Sequence, residues 1–185
     1  MRRVRKPTAT RSELIVDGSD SEFRKLVHDL LAFSSRIEAI RNRFGERIGL
    51  TGRQYTILIT IAHLQGGEGT GITAVAMHLH LSGAFVTTEV NRLIALRLVE
   101  KELDAEDRRR VRLSVSASGF ARLDELAQYQ SQVNNALFEC LSRADFQTMR
   151  RLFSDLVDCA DKAQILQAYL DGIEAPSKRV ANKGR

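Results

Sequence analysis

Cysteine is nearly absent: Cys140 and Cys159 are the only two in 185 residues. Two thiols set in helical patterns make no disulfide framework, which fits a reducing compartment with both thiols buried and inert; redox sensing by either, which needs exposure and a lowered pKa, is the alternative. Long apolar runs are missing too. Nothing approaches the ~18 residues a membrane-spanning helix needs, so no membrane partner is expected. Catalytic patterns are equally scarce. His78 and His80 lie two apart, which on a helix turns their side chains away from each other and makes a poor metal pair. No histidine and cysteine cluster or nucleophile elbow appears, and "GGEG" has neither the lysine nor the helix opening of a phosphate-binding loop. The expectation is a protein that is not an enzyme and has no cofactor and no metal.

What is present is the composition of an ordinary globular domain, 43% hydrophobic and 28% charged. The length suits one such domain with a real core. The start, "MRRVRKPTATRSEL", is basic like the first part of a secretory signal, yet no apolar segment follows it. A cytoplasmic protein is therefore expected, although the same Arg/Thr-rich composition is also that of a transit peptide. The net charge of +5 belongs to the ends: residues 1–12 carry +5 and residues 172–185 carry +3, leaving −3 between them. High basicity alone thus says nothing about an anionic partner for the folded body.

The periodicity is mostly helical. Phe23, Val27, Leu30, Leu31, Ile37, Ile40 and Phe44 predict one long amphipathic helix from Ser21. In "GLTGRQYTILITIAHL" Thr51 and Gln54 have the spacing of a capping box, with Tyr55, Leu58, Ile59 and Ala62 as the buried side that follows. "QGGEGTG" breaks this helix. A short helix with Val75, Ala76 and Leu79 inward comes next, then a second capped by Ser82 with Val86, Val90 and Leu93 on one stripe. Two short helices so tightly joined are a helix-turn-helix pattern.

"LVEKEL" and "RVRLSV" then read as two strands, the second alternating Val111, Leu113 and Val115 inward with Arg110, Arg112 and Ser114 outward. Between them Asp104 and Asp107 are turn formers. Ser116 caps a further long helix bearing Phe120, Leu123, Leu126 and Val133. Ser142 begins a last one with Phe146, Met149, Leu152, Phe153, Leu156, Ala160 and Leu166.

This order of elements, with the run "LVEKELDAEDRRRVRLSVSASG", resembles the multiple-antibiotic-resistance regulator (MarR) family of winged-helix transcription factors. The matching positions are Leu98, Val99, Lys101, Asp104, Asp107 and Arg109, then Val115, Ser116 and Gly119; "GLTGRQYTIL" is a softer match. The resemblance implies a mainly α (α+β) fold: a winged helix-turn-helix with a two-stranded β-wing and long terminal dimerisation helices. It implies that Asp104 and Asp107 brace the wing with Arg109, while Arg108, Arg109 and Arg110 approach the minor groove, where a guanidinium fits the narrow negative channel. A merely solvated charged hairpin is the alternative.

By helical phase, Gly83, Ala84, Thr87, Thr88 and Asn91 face base edges, where Asn91 suits adenine and threonine methyls suit thymine methyls; Ser82 and Arg92 suit phosphates. The sequence departs from the family in four places. Arg97 replaces the glycine that ends the recognition helix, leaving its left-handed turn strained or absent. Glu106 stands where some members have arginine, Glu89 where an apolar residue is usual, and Thr88 where a basic one is common.

Five segments are expected: a basic flexible arm (1–20), an N-terminal dimerisation helix (21–50), the DNA-binding winged helix (51–116), C-terminal dimerisation helices (117–171) and a basic flexible tail (172–185). The expected partners are double-stranded DNA carrying a pseudo-palindromic operator, a second copy of the chain, and a small aromatic or phenolic effector. In the family such effectors release the protein from DNA; a repressor is the expected role, with an activator as the alternative, because binding geometry does not fix where a promoter lies. His28, Phe33, Tyr55 and His63 are candidate pocket linings, with core or surface placement as the plainer alternative. From another class comes a winged helix serving as an interaction or architectural module, with salt-sensitive, nonspecific DNA affinity from its ends.

Overall fold

Pro7 and Pro176 are the only prolines and lie near the two ends of the chain, so none interrupts the long helical patterns between them. In the computed structural model, which describes residues 6–103 and 111–174, the first of these patterns becomes α1, Ser21–Arg47. The chain leading into it, expected as a flexible arm, has a short 3-10 turn at Ser12–Leu14 and a reciprocal backbone pair between Val16 and Ser19. Buried Asp20 accepts hydrogen bonds from the Thr8 amide (2.6 Å) and hydroxyl (2.9 Å) and pairs with Arg24 one helical turn on. The Thr8 amide is the main reason its carboxyl lies below the usual range, and burial opposes it.

α1 ends where Gly49 adopts φ 73° and the Leu50 amide reaches back to the Gly45 carbonyl at 2.9 Å, a closure that a glycine makes without strain. α2, Gly52–Leu64, opens on a complete capping box: the Thr51 hydroxyl accepts from the Gln54 amide and the Gln54 side chain from the Thr51 amide. Tyr55, Ile57, Leu58 and Ile61 are fully buried, whereas Ile59 and Ala62 of the expected stripe are half-buried. The reason is tertiary: α2 is packed by α1, α3 (Ile72–Leu79), α4 (Gly83–Ala95) and β2 (Val111–Val115), so more than one face is covered.

β1, Val99–Leu103, and β2 form an antiparallel pair with Val99 opposite Val115 and Leu103 opposite Val111. Leu113 is completely buried and exchanges both backbone hydrogen bonds with Thr70, tying the hairpin to the loop after α2. The Gln65 side chain also accepts from the Val115 amide at 2.8 Å. The core of this unit is the cluster of Tyr55, Leu58, Ile61, Val75, Val86, Val90, Leu93 and Leu113.

The long helix expected from Ser116 is instead two, α5 (Ala117–Asp124) and α6 (Ala127–Leu137). The Leu126 amide bonds the carbonyl of Leu123, three residues back, and this tighter turn accompanies the burial of Leu126 in the core while Phe120 stays exposed. Contacts divide the chain into Met1–Gln132 and Val133–Arg185. The second unit is dominated by α7, Arg143–Glu174, 32 residues long, whose first turn is closed by Ser142 and Asp145 bonding reciprocally. The expected buried thiols are a further correction: Cys140 and Cys159 are both exposed.

Candidate nucleic-acid interface

The helix-turn-helix is built from α3 and α4. α3 stops when His80 turns left-handed at φ 50°, with the Leu81 amide returning to the Ala76 carbonyl at 3.0 Å. Two residues later Ser82 caps α4, its hydroxyl accepting from the Phe85 amide at 3.2 Å. Val86, Val90 and Leu93 are buried at 1% exposure or less, which fixes the rotation of α4 and leaves Gly83, Ala84, Thr88 and Asn91 exposed and Thr87 half-buried. These are the residues that helical phase assigned to the outward face. The Thr87 hydroxyl donates to the Gly83 carbonyl at 2.7 Å and that of Thr88 to the Ala84 carbonyl at 3.1 Å.

Glu89 lies on the other side. It is 5% exposed, in the apolar place its position suggested, so it takes no part in the outward face. One carboxylate oxygen accepts from Arg92 at 2.6 Å; the other is buried without a hydrogen-bond partner among the described residues. A group buried so incompletely satisfied costs on the order of 1–3 kcal/mol.

At the far end of α4 the left-handed turn is kept without glycine. Arg97 takes φ 59°, and the Leu98 amide closes on the Leu93 carbonyl at 2.9 Å. The Arg97 carbonyl then receives the hydroxyls of Ser116 (2.6 Å) and Ser118 (2.5 Å). A Cβ on Gly119 would sit 2.2 Å from the Leu98 carbonyl oxygen, so α5 meets the end of α4 as closely as glycine allows. An open groove of about 730 Å³ follows this junction, lined by Ile94, Arg97, Val99, Lys101, Ser116 and Ser118 among others.

In the wing, Arg112 is 3.6 Å from the Glu68 carboxylate and donates to the Glu68 carbonyl. Asp104, Glu106, Asp107, Arg108, Arg109 and Arg110 lie outside the described residues. Of the candidate pocket residues, His28 is exposed and Phe33 half-buried, both on α1. Tyr55 is fully buried, with Gln130 donating to its hydroxyl at 2.7 Å and the Arg41 guanidinium 5.6 Å from its ring centre. Burial pushes the Tyr55 phenol up, against the opposing effects of Arg41 and Gln130. His63 is exposed and faces His78 across α2 and α3, ring centres 5.8 Å apart. That pairing has no signature in the sequence, because it arises from packing between two helices. Among the described residues no cluster of three metal-ligating side chains occurs, and no helix is long and apolar enough to cross a membrane.

A helix-turn-helix followed by an antiparallel hairpin that packs back on it defines a winged helix. Solved structures share this fold: a mutant of MarR from E. coli complexed with operator DNA (17% identity, 73% of this chain and 95% of that one, TM-score 0.59); CouR from Rhodococcus jostii bound to p-coumaroyl-CoA (21%, 70% and 90%, 0.60); and BpsR from Bordetella bronchiseptica, described with regulation of its DNA binding by 6-hydroxynicotinic acid (24%, 71% and 91%, 0.57). No curated protein matches significantly. Residues 48–110, which contain the helix-turn-helix, match the model of the MarR family.

Proposed function

We propose that this chain is a transcription regulator that binds double-stranded DNA with sequence preference, as a homodimer, and that a small aromatic acid or its thioester releases it from its operator, making it a repressor. The observation that carries the reading is α4: capped at its start, anchored by three buried aliphatic residues, and presenting an outward face of small and polar side chains beside a hairpin. Gly83, Ala84, Thr87, Thr88 and Asn91 meet base edges; Ser82 and Arg92 meet phosphates. Arg108, Arg109 and Arg110 enter the minor groove, with Asp104 and Asp107 holding Arg109. Exposed apolar residues on α1 (Leu26, Leu31) and α7 (Leu152, Leu156, Leu166) support two-fold assembly. The aromatic ligands of CouR and BpsR support the effector class, with His28, Phe33, Tyr55 and His63 as its candidate lining.

The test is retention of fragmented genomic DNA from the source organism at near-physiological salt, followed by sequencing. Enrichment of a two-fold symmetric site with half-sites about one helical turn apart is expected, and Arg109→Ala weakens that binding more than removal of residues 1–12 does. Retention without preference, fading steeply with salt, overturns the reading.

A further inference from the structure

We propose that α4 reads A·T base pairs through thymine methyl groups, and that its outward face contains no reader of guanine. The inference rests on the DNA-binding reading above and names what that face recognises. The commonest guanine contact is a bidentate arginine or lysine on the O6 and N7 edge. α4 has one cation in thirteen residues, Arg92, and its guanidinium is held 2.6 Å from the buried Glu89 carboxylate. That pairing draws Arg92 toward the flank of the helix, where it suits a phosphate.

What remains outward is poor in donors. Each of Thr87 and Thr88 has a single hydroxyl proton, and both protons are used on carbonyls of their own helix, at 2.7 Å and 3.1 Å. What they still offer a ligand is their methyls and hydroxyl oxygens that can only accept, and Ala84, one turn earlier, adds a third methyl. Apolar contact with the 5-methyl of thymine is the major-groove interaction open to such a surface. Asn91, exposed one turn further on, adds the amide that pairs with adenine. The surface therefore matches consecutive A·T pairs and leaves a guanine edge unsatisfied.

The test uses the full chain. A duplex library with random positions gives the preferred site, and each thymine of that site is then replaced singly by deoxyuridine. This change deletes one methyl from the major groove and leaves hydrogen bonding and the minor groove unaltered, so wing contacts are not touched. Expected are A·T pairs at the positions covered by α4 and about a threefold to fourfold loss of affinity per contacted methyl. Thr88→Ser, which keeps the hydroxyl and drops the methyl, loses the discrimination between thymine and uracil at one of those positions while still binding the site. Guanine fixed at the α4 positions, or site-specific binding indifferent to every thymine-to-uracil exchange, overturns the inference and leaves the regulator reading standing. Binding with no preferred site overturns the regulator reading and the inference with it.

Discussion

α2 and α7 are both amphipathic by sequence, yet one is enclosed and the other bare. α2 places five of its 13 residues in the core. Of the α7 residues whose side chains are described, Met149 alone is even half-buried, while Phe146, Leu152, Leu156, Leu166 and Leu170 remain open. An apolar stripe states that a partner is needed without saying whether the partner is in the same chain. A helix gains most of its stability from packing rather than propensity. The stripe of α7 is consequently where a second copy has most to offer.

The largest effect that separates the two helices is expected at Leu58. Leu58→Ala leaves a cavity in a fully buried site and should lower unfolding stability by about 2–5 kcal/mol, read as a shift in denaturant midpoint at unchanged slope. Leu156→Glu, in the middle of α7, should instead weaken self-association on the order of a hundredfold by sedimentation. At concentrations where both proteins are monomeric it should leave stability within about 0.5 kcal/mol of the parent. If it destabilises the monomer as Leu58→Ala does, the contrast between the helices is wrong.

Two smaller effects sharpen the comparison inside the first unit. Arg97→Gly relieves a left-handed arginine and keeps the turn, so a gain of about 0.5–1 kcal/mol is expected after glycine's own entropic cost. A loss would mean that the Arg97 side chain contributes more than its backbone costs. The smallest effect concerns Asp20, whose folded-state pKa lies below its unfolded value. Its contribution is complete above about pH 4 and lost as pH falls through the folded value. The stability difference between the parent and Asp20→Asn should therefore be flat near neutrality and shrink in acid; a difference independent of pH down to the acid limit would refute the assignment.

Much of the local structure was legible. Thr51 with Gln54, Ser82, Ser116 and Ser142 each mark the helix start that the structure shows, because a cap is a contact within four residues. The alternation Leu113, Ser114, Val115 marked β2 for the same reason. Less legible was the fate of individual side chains. Glu89 could be flagged as out of place but not assigned to the core beside Arg92. The interruption of the helix after Asp124, the facing of His63 and His78, and the exposure of both cysteines had no periodic signal.

By itself, then, the sequence determined the kinds of element, their order and their caps, since these depend on residues near in the chain. The tertiary structure alone decided that Arg97 holds a glycine's turn, because its carbonyl is gripped by serines 19 and 21 positions away. It decided that Gln65 supports a strand residue 50 positions on. It also decided that α2 is covered on several faces while the stripe of α7 stays open. Each outcome depends on what the folded chain brings near a residue, and no window of neighbouring letters contains that information.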